Sequence, residues 1–144
     1  YRHINRLAEG GILRVVAENP VRGLVQKVYA LSAPDIGHLS PEDVAAMSKD
    51  DMRQLFAAFA TSLIASFEQY LDNTAAPDMA ADGVGFHTYP LYLTDDELRD
   101  VAIGLAEVLR PVMAQAPAPG RRRRLLATVL MPAFDEPPPD DGAQ

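Results

Sequence analysis

Along the first thirty residues the apolar positions change period, from helical to strand-like. At 100° per residue Tyr1, Ile4, Leu7 and Ala8 fall on one face, with Arg2 and Arg6 pointing away from them. Gly10-Gly11 follows and can close a helix at positive φ. The run Ile12 to Ala17 then reads as a β-branched strand, Glu18-Asn19-Pro20 as a turn, and Leu24 to Leu31 as a returning strand. The prediction is a short helix, a tight turn and a two-stranded hairpin carrying Arg22 near its tip.

Residues 32–39 (Ser-Ala-Pro-Asp-Ile-Gly-His-Leu) show no periodicity and read as a linker. Ser40-Pro41-Glu42-Asp43 starts a short helix, with Ser at the N-cap and Pro at N1. Ser48-Lys49-Asp50-Asp51 can restart it. The most regular stretch comes next: Met52, Leu55, Phe56, Phe59, Leu63, Ile64, Phe67, Tyr70 and Leu71 recur every three or four residues. It predicts a helix over 50–73, about 36 Å long.

Downstream, 84–93 reads as a strand interrupted by Pro90, and Thr94-Asp95-Asp96-Glu97 as a capping box. Leu98, Val101, Ala102, Leu105, Val108, Leu109 and Val112 share one helical face, and Leu125 to Met131 reads as a further strand. Strand, helix and strand in that order predict a small βαβ unit with a right-handed crossover. Residues 135–144, acidic and rich in proline, are expected to be disordered.

Charge divides the chain. Residues 1–31 carry Arg2, Arg6, Arg14, Arg22 and Lys27 against Glu9 and Glu18, which is +3, so the remaining 113 residues carry −10 of the total −7. A basic segment suits phosphate contact, and an acidic one is repelled from a duplex. The chain has no cysteine, which excludes disulfides and thiolate metal sites and fits a cytoplasmic protein. No apolar run approaches the ~20 residues that span a bilayer.

The opening segment resembles the winged helix-turn-helix regulators of the arsenic-repressor (ArsR-like) type. His3-Ile4-Asn5-Arg6-Leu7-Ala8-Glu9-Gly10-Gly11-Ile12-Leu13 fits that family's H-(apolar)-x-x-L-x-x-x-G-(apolar)-(apolar) pattern at the end of the DNA-reading helix. Val21-Arg22-Gly23 and Lys27-Val28-Tyr29-Ala30-Leu31 resemble the wing's turn and returning strand. The likeness covers about the first 31 residues, and Tyr1 departs from the small hydroxyl residue the family often carries there. It implies an α+β chain: the end of a winged helix (recognition helix plus wing), then a long amphipathic helix and the βαβ unit. It also implies that the chain is the later part of a longer regulator. On this reading 1–31 is a partial DNA-binding domain and 40–134 a dimerisation and possible effector domain. The DNA contacts implied are Arg2, His3, Asn5, Arg6 and Arg22, with Leu55, Phe56, Phe59, Leu63 and Phe67 in a homodimer interface.

The remaining constellations point elsewhere than to chemistry. Arg121-Arg122-Arg123-Arg124 opens an expected strand, where alternate side chains point oppositely, so acidic partners such as Asp95, Asp96 or Asp100, or a bound anion, suit it better than DNA. His38 and His87 lie far apart without ligand spacing, so neither a metal nor another cofactor is expected. No nucleophile elbow, phosphate loop or dinucleotide fingerprint occurs, and an enzyme is not expected. The aromatic set Phe56, Phe59, Phe67, Tyr70, Phe86, Tyr89 and Tyr92 suits packing better than a pocket for a small apolar effector. Two functional readings follow: an operator-binding, dimeric transcriptional regulator, or a stand-alone ligand-binding or protein-interaction module without DNA binding.

Overall fold

Gly11 holds φ at +76°, a left-handed conformation that glycine takes without steric cost, and it ends the first helix, α1 (Arg2–Glu9). The Ile12 amide donates back to the Leu7 carbonyl at 2.9 Å, and the chain leaves directly into β1 (Leu13–Val21). It reverses over Arg22-Gly23 and returns as β2 (Leu24–Leu31), antiparallel to β1. The computed structural model describes residues 2–32 and 40–134, with the side chains of Arg2 and His3 excepted. Tyr1, nearly all of the expected linker with His38, and the acidic tail lie outside the described residues.

The hairpin reverses later than its sequence suggests. Glu18, Asn19 and Pro20 lie within β1, opposite Lys27, Gln26 and Val25. The reversal sits instead at Arg22 (φ +49°) and Gly23 (φ +80°), the two left-handed residues that a two-residue turn of type I′ requires. Register explains why Pro20 is tolerated. Val21 and Leu24 close the turn as a hydrogen-bonded pair, so Pro20 and Val25 form the next, non-hydrogen-bonded pair, where no ladder donor is needed. A bulge at Val16 shifts the register between Val15 and Ala17.

After Ser32 the described chain resumes at Ser40, which caps α2 (Pro41–Ala45) by accepting from the Asp43 amide at 3.1 Å. Ser48 and Asp51 form a reciprocal capping box at the start of α3 (Lys49–Asp72). The helix has the expected 24 residues. Its Asp51-to-Ser62 face lies on the hairpin base. Leu55 and Phe59 pack there against a core of Ile4, Leu7, Leu13, Tyr29, Leu31, Met47 and Ala58. The Leu31 amide donates to Ser62 Oγ at 3.0 Å, and that hydroxyl donates to the Ala58 carbonyl at 3.0 Å. One serine thus satisfies an outward strand amide that has no partner strand. A short α4 (Met79–Asp82) follows, tied to α3 by the Tyr70 hydroxyl donating to Asp82 at 2.8 Å.

The chain divides into two units, Tyr1–Val84 and Gly85–Gln144. In the second, Thr94 and Glu97 form the expected capping box and α5 runs from Asp95 to Met113, with Pro111 accommodated inside. The flanking strands are not there: 84–93 and 125–131 form no strand, and the described residues hold one sheet, made of β1 and β2. The βαβ expectation is corrected accordingly. A β-favouring sequence becomes a strand only against a neighbour and a half-buried surface. Here Tyr92 is 87% exposed, and Pro90 removes a ladder donor.

Asp51 generates a pH prediction. The Ser48 backbone N–H (2.9 Å) and hydroxyl (2.8 Å) both donate to its carboxylate and hold its pKa below the ordinary aspartate value. The group's contribution is therefore complete above the ordinary aspartate range and is lost as pH falls through the lowered value. Ser48→Ala should cost about 1 kcal/mol at neutral pH in urea unfolding. The gap from wild type should narrow in acid as Asp51 protonates. A gap independent of pH would place the whole effect on the hydroxyl's bond to the Asp51 amide.

Candidate nucleic-acid interface

Alternation on α1 sorts the basic residues from the apolar ones. Ile4 is completely buried and Leu7 nearly so, whereas Asn5 and Arg6 are exposed on the other side of the helix. The backbone of Arg2 and His3 continues the same helix by its first turn, which places Arg2 four residues before Arg6 and thus on the same face. Arg22, at the far end of the hairpin, occupies the first position of the turn. The sequence-predicted DNA contacts therefore sit on two elements, α1 and the tip of the hairpin whose base packs in the same core as α1.

The electrostatics are plain. The Arg6 guanidinium lies 3.9 Å from an Asp43 carboxylate oxygen, with the arginine side chain 67% exposed. In that setting the pair is worth at most about 1 kcal/mol, so Arg6 stays available to a stronger anion. Asp43 faces two competing donors, since its other oxygen accepts from the Ser40 hydroxyl at 2.8 Å. Along the hairpin, Glu18 and Lys27 stand opposite one another in register, which leaves Arg14 and Arg22 as its unbalanced charges.

Sequence reasoning missed a groove of about 630 Å³ beside this face. It lies between the α1 residue Asn5, the β2 residues Leu24 to Tyr29, and Gln54 and Ala57 of α3. Beneath its surface the Gln54 side-chain carbonyl oxygen is buried without a hydrogen-bond partner. One signal was readable: Gln54 is a polar residue next to Leu55 and one helical turn before Ala58, both of which turn to the core. None of the aromatic residues singled out for an effector pocket lines this groove.

The five expected dimer residues divide in their surroundings. Leu55 and Phe59 pack partly against the chain's own core, Leu63 and Phe67 are half-buried, and Phe56 is 51% exposed. The Arg121-to-Arg124 segment forms no strand, and Arg121 donates to the Ala116 carbonyl at 3.1 Å. The His87 ring stacks on Tyr89 with centroids 6.0 Å apart. Among the described residues no three histidine, aspartate or glutamate side chains converge on a point that would hold a metal ion, and no helix is long and apolar enough to cross a membrane. The chain matches no protein-family model and no curated protein.

Arg22 separates stability from binding. An L-residue in the left-handed region costs about 1–2 kcal/mol, and glycine avoids that while losing about 0.5–1 kcal/mol of chain entropy. Arg22→Gly should therefore leave the urea midpoint unchanged or slightly raised. If Arg22 meets a phosphate, the same change should weaken duplex binding and lower the salt slope of log K by about 1. Unchanged affinity and slope, measured by fluorescence anisotropy, would remove Arg22 from the interface.

Proposed function

We propose that this chain is part of a DNA-binding transcriptional regulator of the winged-helix type, acting as a homodimer and without catalytic activity of its own. The observation that carries the reading is an exposed Asn5/Arg6 face on α1 joined by two glycines to a hairpin whose type I′ tip holds an arginine at φ +49°. An arginine at that position is conformationally costly where asparagine or glycine would serve, and a binding role for its charge accounts for the cost.

In this reading α1 lies in the major groove and the hairpin tip reaches the neighbouring backbone or minor groove. Arginine suits guanine O6 and N7 bidentately, or phosphate, and Asn5 suits adenine N6 and N7. The charge division supports the same reading: residues 1–31 carry +3 and suit phosphate contact, whereas the remainder carries −10. Two copies would present two α1 helices to a palindromic site about 34 Å from centre to centre.

The rival reading, a ligand-binding or interaction module, has one observation in its favour: the groove of about 630 Å³. A small ligand with an apolar body would suit the groove's valine- and leucine-rich lining, and as an effector such a ligand is compatible with the first reading.

Two substitutions test DNA recognition. Arg2→Ala with Arg6→Ala, in the regulator and against its own upstream DNA, should weaken specific binding roughly 30-fold or more, at 1–3 kcal/mol per base contact. The circular dichroism of the folded protein should be preserved. Undiminished binding by the folded double variant would end the proposal for α1. Asp43→Asn should act in the opposite direction. Removing the carboxylate 3.9 Å from Arg6 should strengthen binding by up to about fivefold at low salt, the gain shrinking as salt is added.

A further inference from the structure

The second unit has no interior of its own. No described residue of 85–134 is buried. Nothing among the described residues of the unit covers the apolar face of α5, where Leu105 is 48%, Val108 70% and Val112 53% exposed. On the segments either side of the helix, Phe86 is 73%, Tyr89 70%, Tyr92 87% and Phe134 91% exposed. So many exposed large apolar side chains in one short unit mark an interaction surface, since monomers rarely leave extensive apolar area in water. At about 200 Å² per aromatic side chain, those four rings alone present roughly 600 Å². A stable pair needs about 800 Å² from each partner. The aliphatic side chains of α5 supply the rest.

Charge selects the occupant. Residues 85–134 hold Asp95, Asp96, Glu97, Asp100 and Glu107 against Arg99, Arg110 and Arg121 to Arg124, which is +1. A second copy is therefore not repelled. The charges are also polarised: acid gathers in the first turns of α5, and base follows its end. An antiparallel, two-fold pairing lays the acidic start of one α5 beside Arg110 and Arg121 of the other, twice over; Arg121 stays close to the helix end through its 3.1 Å bond to the Ala116 carbonyl. That is the self-complementarity an isologous interface requires.

We propose that residues 85–134 are the dimerisation element of this protein, pairing with the same segment of a second copy through the α5 face centred on Leu105. On this assignment α5, rather than the exposed side of α3, is the principal contact. It deepens the homodimer of the preceding section but does not depend on DNA binding: a dimer without DNA affinity would leave it standing and cost only the regulator reading.

The chain's lack of cysteine makes the test direct. Leu105 lies one residue from the midpoint of α5, so in an antiparallel pair the two copies of Leu105→Cys meet near the two-fold axis. A short bismaleimide should join Leu105→Cys into dimers in high yield at low micromolar protein, and Phe56→Cys, on the exposed side of α3, in low yield. Light scattering should give twice the chain mass for wild type. Leu105→Asp with Val108→Asp should give the single-chain mass, while amide exchange in α3 and the hairpin stays protected, which shows that the first unit is still folded. A wild-type monomer, a double variant that remains dimeric, or cross-linking at Phe56→Cys without cross-linking at Leu105→Cys would each overturn the proposal.

Discussion

Ile4 is sealed from solvent, and the first unit is organised around keeping it so. An isolated helix of eight residues is not stable in water, because nucleation costs more than so few hydrogen bonds return. The helix α1 therefore exists because Ile4 and Leu7 are covered by the hairpin base and by α3. Burying one such side chain is worth about 1.5–3 kcal/mol, a substantial share of what holds so small a helix in place. The same contact orients its outer surface. Once Ile4 faces inward, Arg6, 200° further round the helix, points outward and Asn5 is left at the rim of the groove, so the core fixes the aim of both.

The Leu31-to-Ser62 hydrogen bond performs a second service for this arrangement. A two-stranded sheet leaves an unpaired edge along each strand, and such edges invite pairing with other chains. At the base of β2 the edge is closed by a helix side chain instead of a strand. Ser62 can do this because its hydroxyl is anchored to the Ala58 carbonyl one turn earlier, so donor and acceptor roles are both used.

What could be read from the sequence was what local interactions determine. The caps at Ser40, Ser48 and Thr94 each join residues three apart, and all three form. The α3 periodicity spans only its own helix, and the helix matches its expected length. The reversal at Arg22-Gly23 was legible in part: the pair stood out, but Asn19-Pro20 is an equally good turn sequence, and register across the strands decided between them. The expected strands at 84–93 and 125–131 failed for the complementary reason. Their residues suit a sheet, yet no neighbouring strand within the described chain completes one. At the candidate interface, helical spacing alone separated Arg6 from Ile4. The Asp43 carboxylate beside Arg6 and the buried Gln54 oxygen were not legible, because both depend on which elements come together in space.

The hairpin is anchored at one end only. Tyr29, Ala30 and Leu31 are buried at its base, while Leu24 is 77% and Val25 63% exposed toward the tip. An eight-residue strand reaches about 26 Å, so the tip stands well beyond the core that supports it. The hairpin is a cantilever, with the Val16 bulge interrupting its ladder close to the base. Over that length a rotation of about ten degrees at the base corresponds to a displacement of several ångströms at Arg22, so the position of the arginine is set by how the outer ladder twists rather than by a core contact. Such an arm can follow a curved or irregular surface while α1 stays fixed, and the energy of adjustment is confined to a few ladder bonds of the hairpin itself.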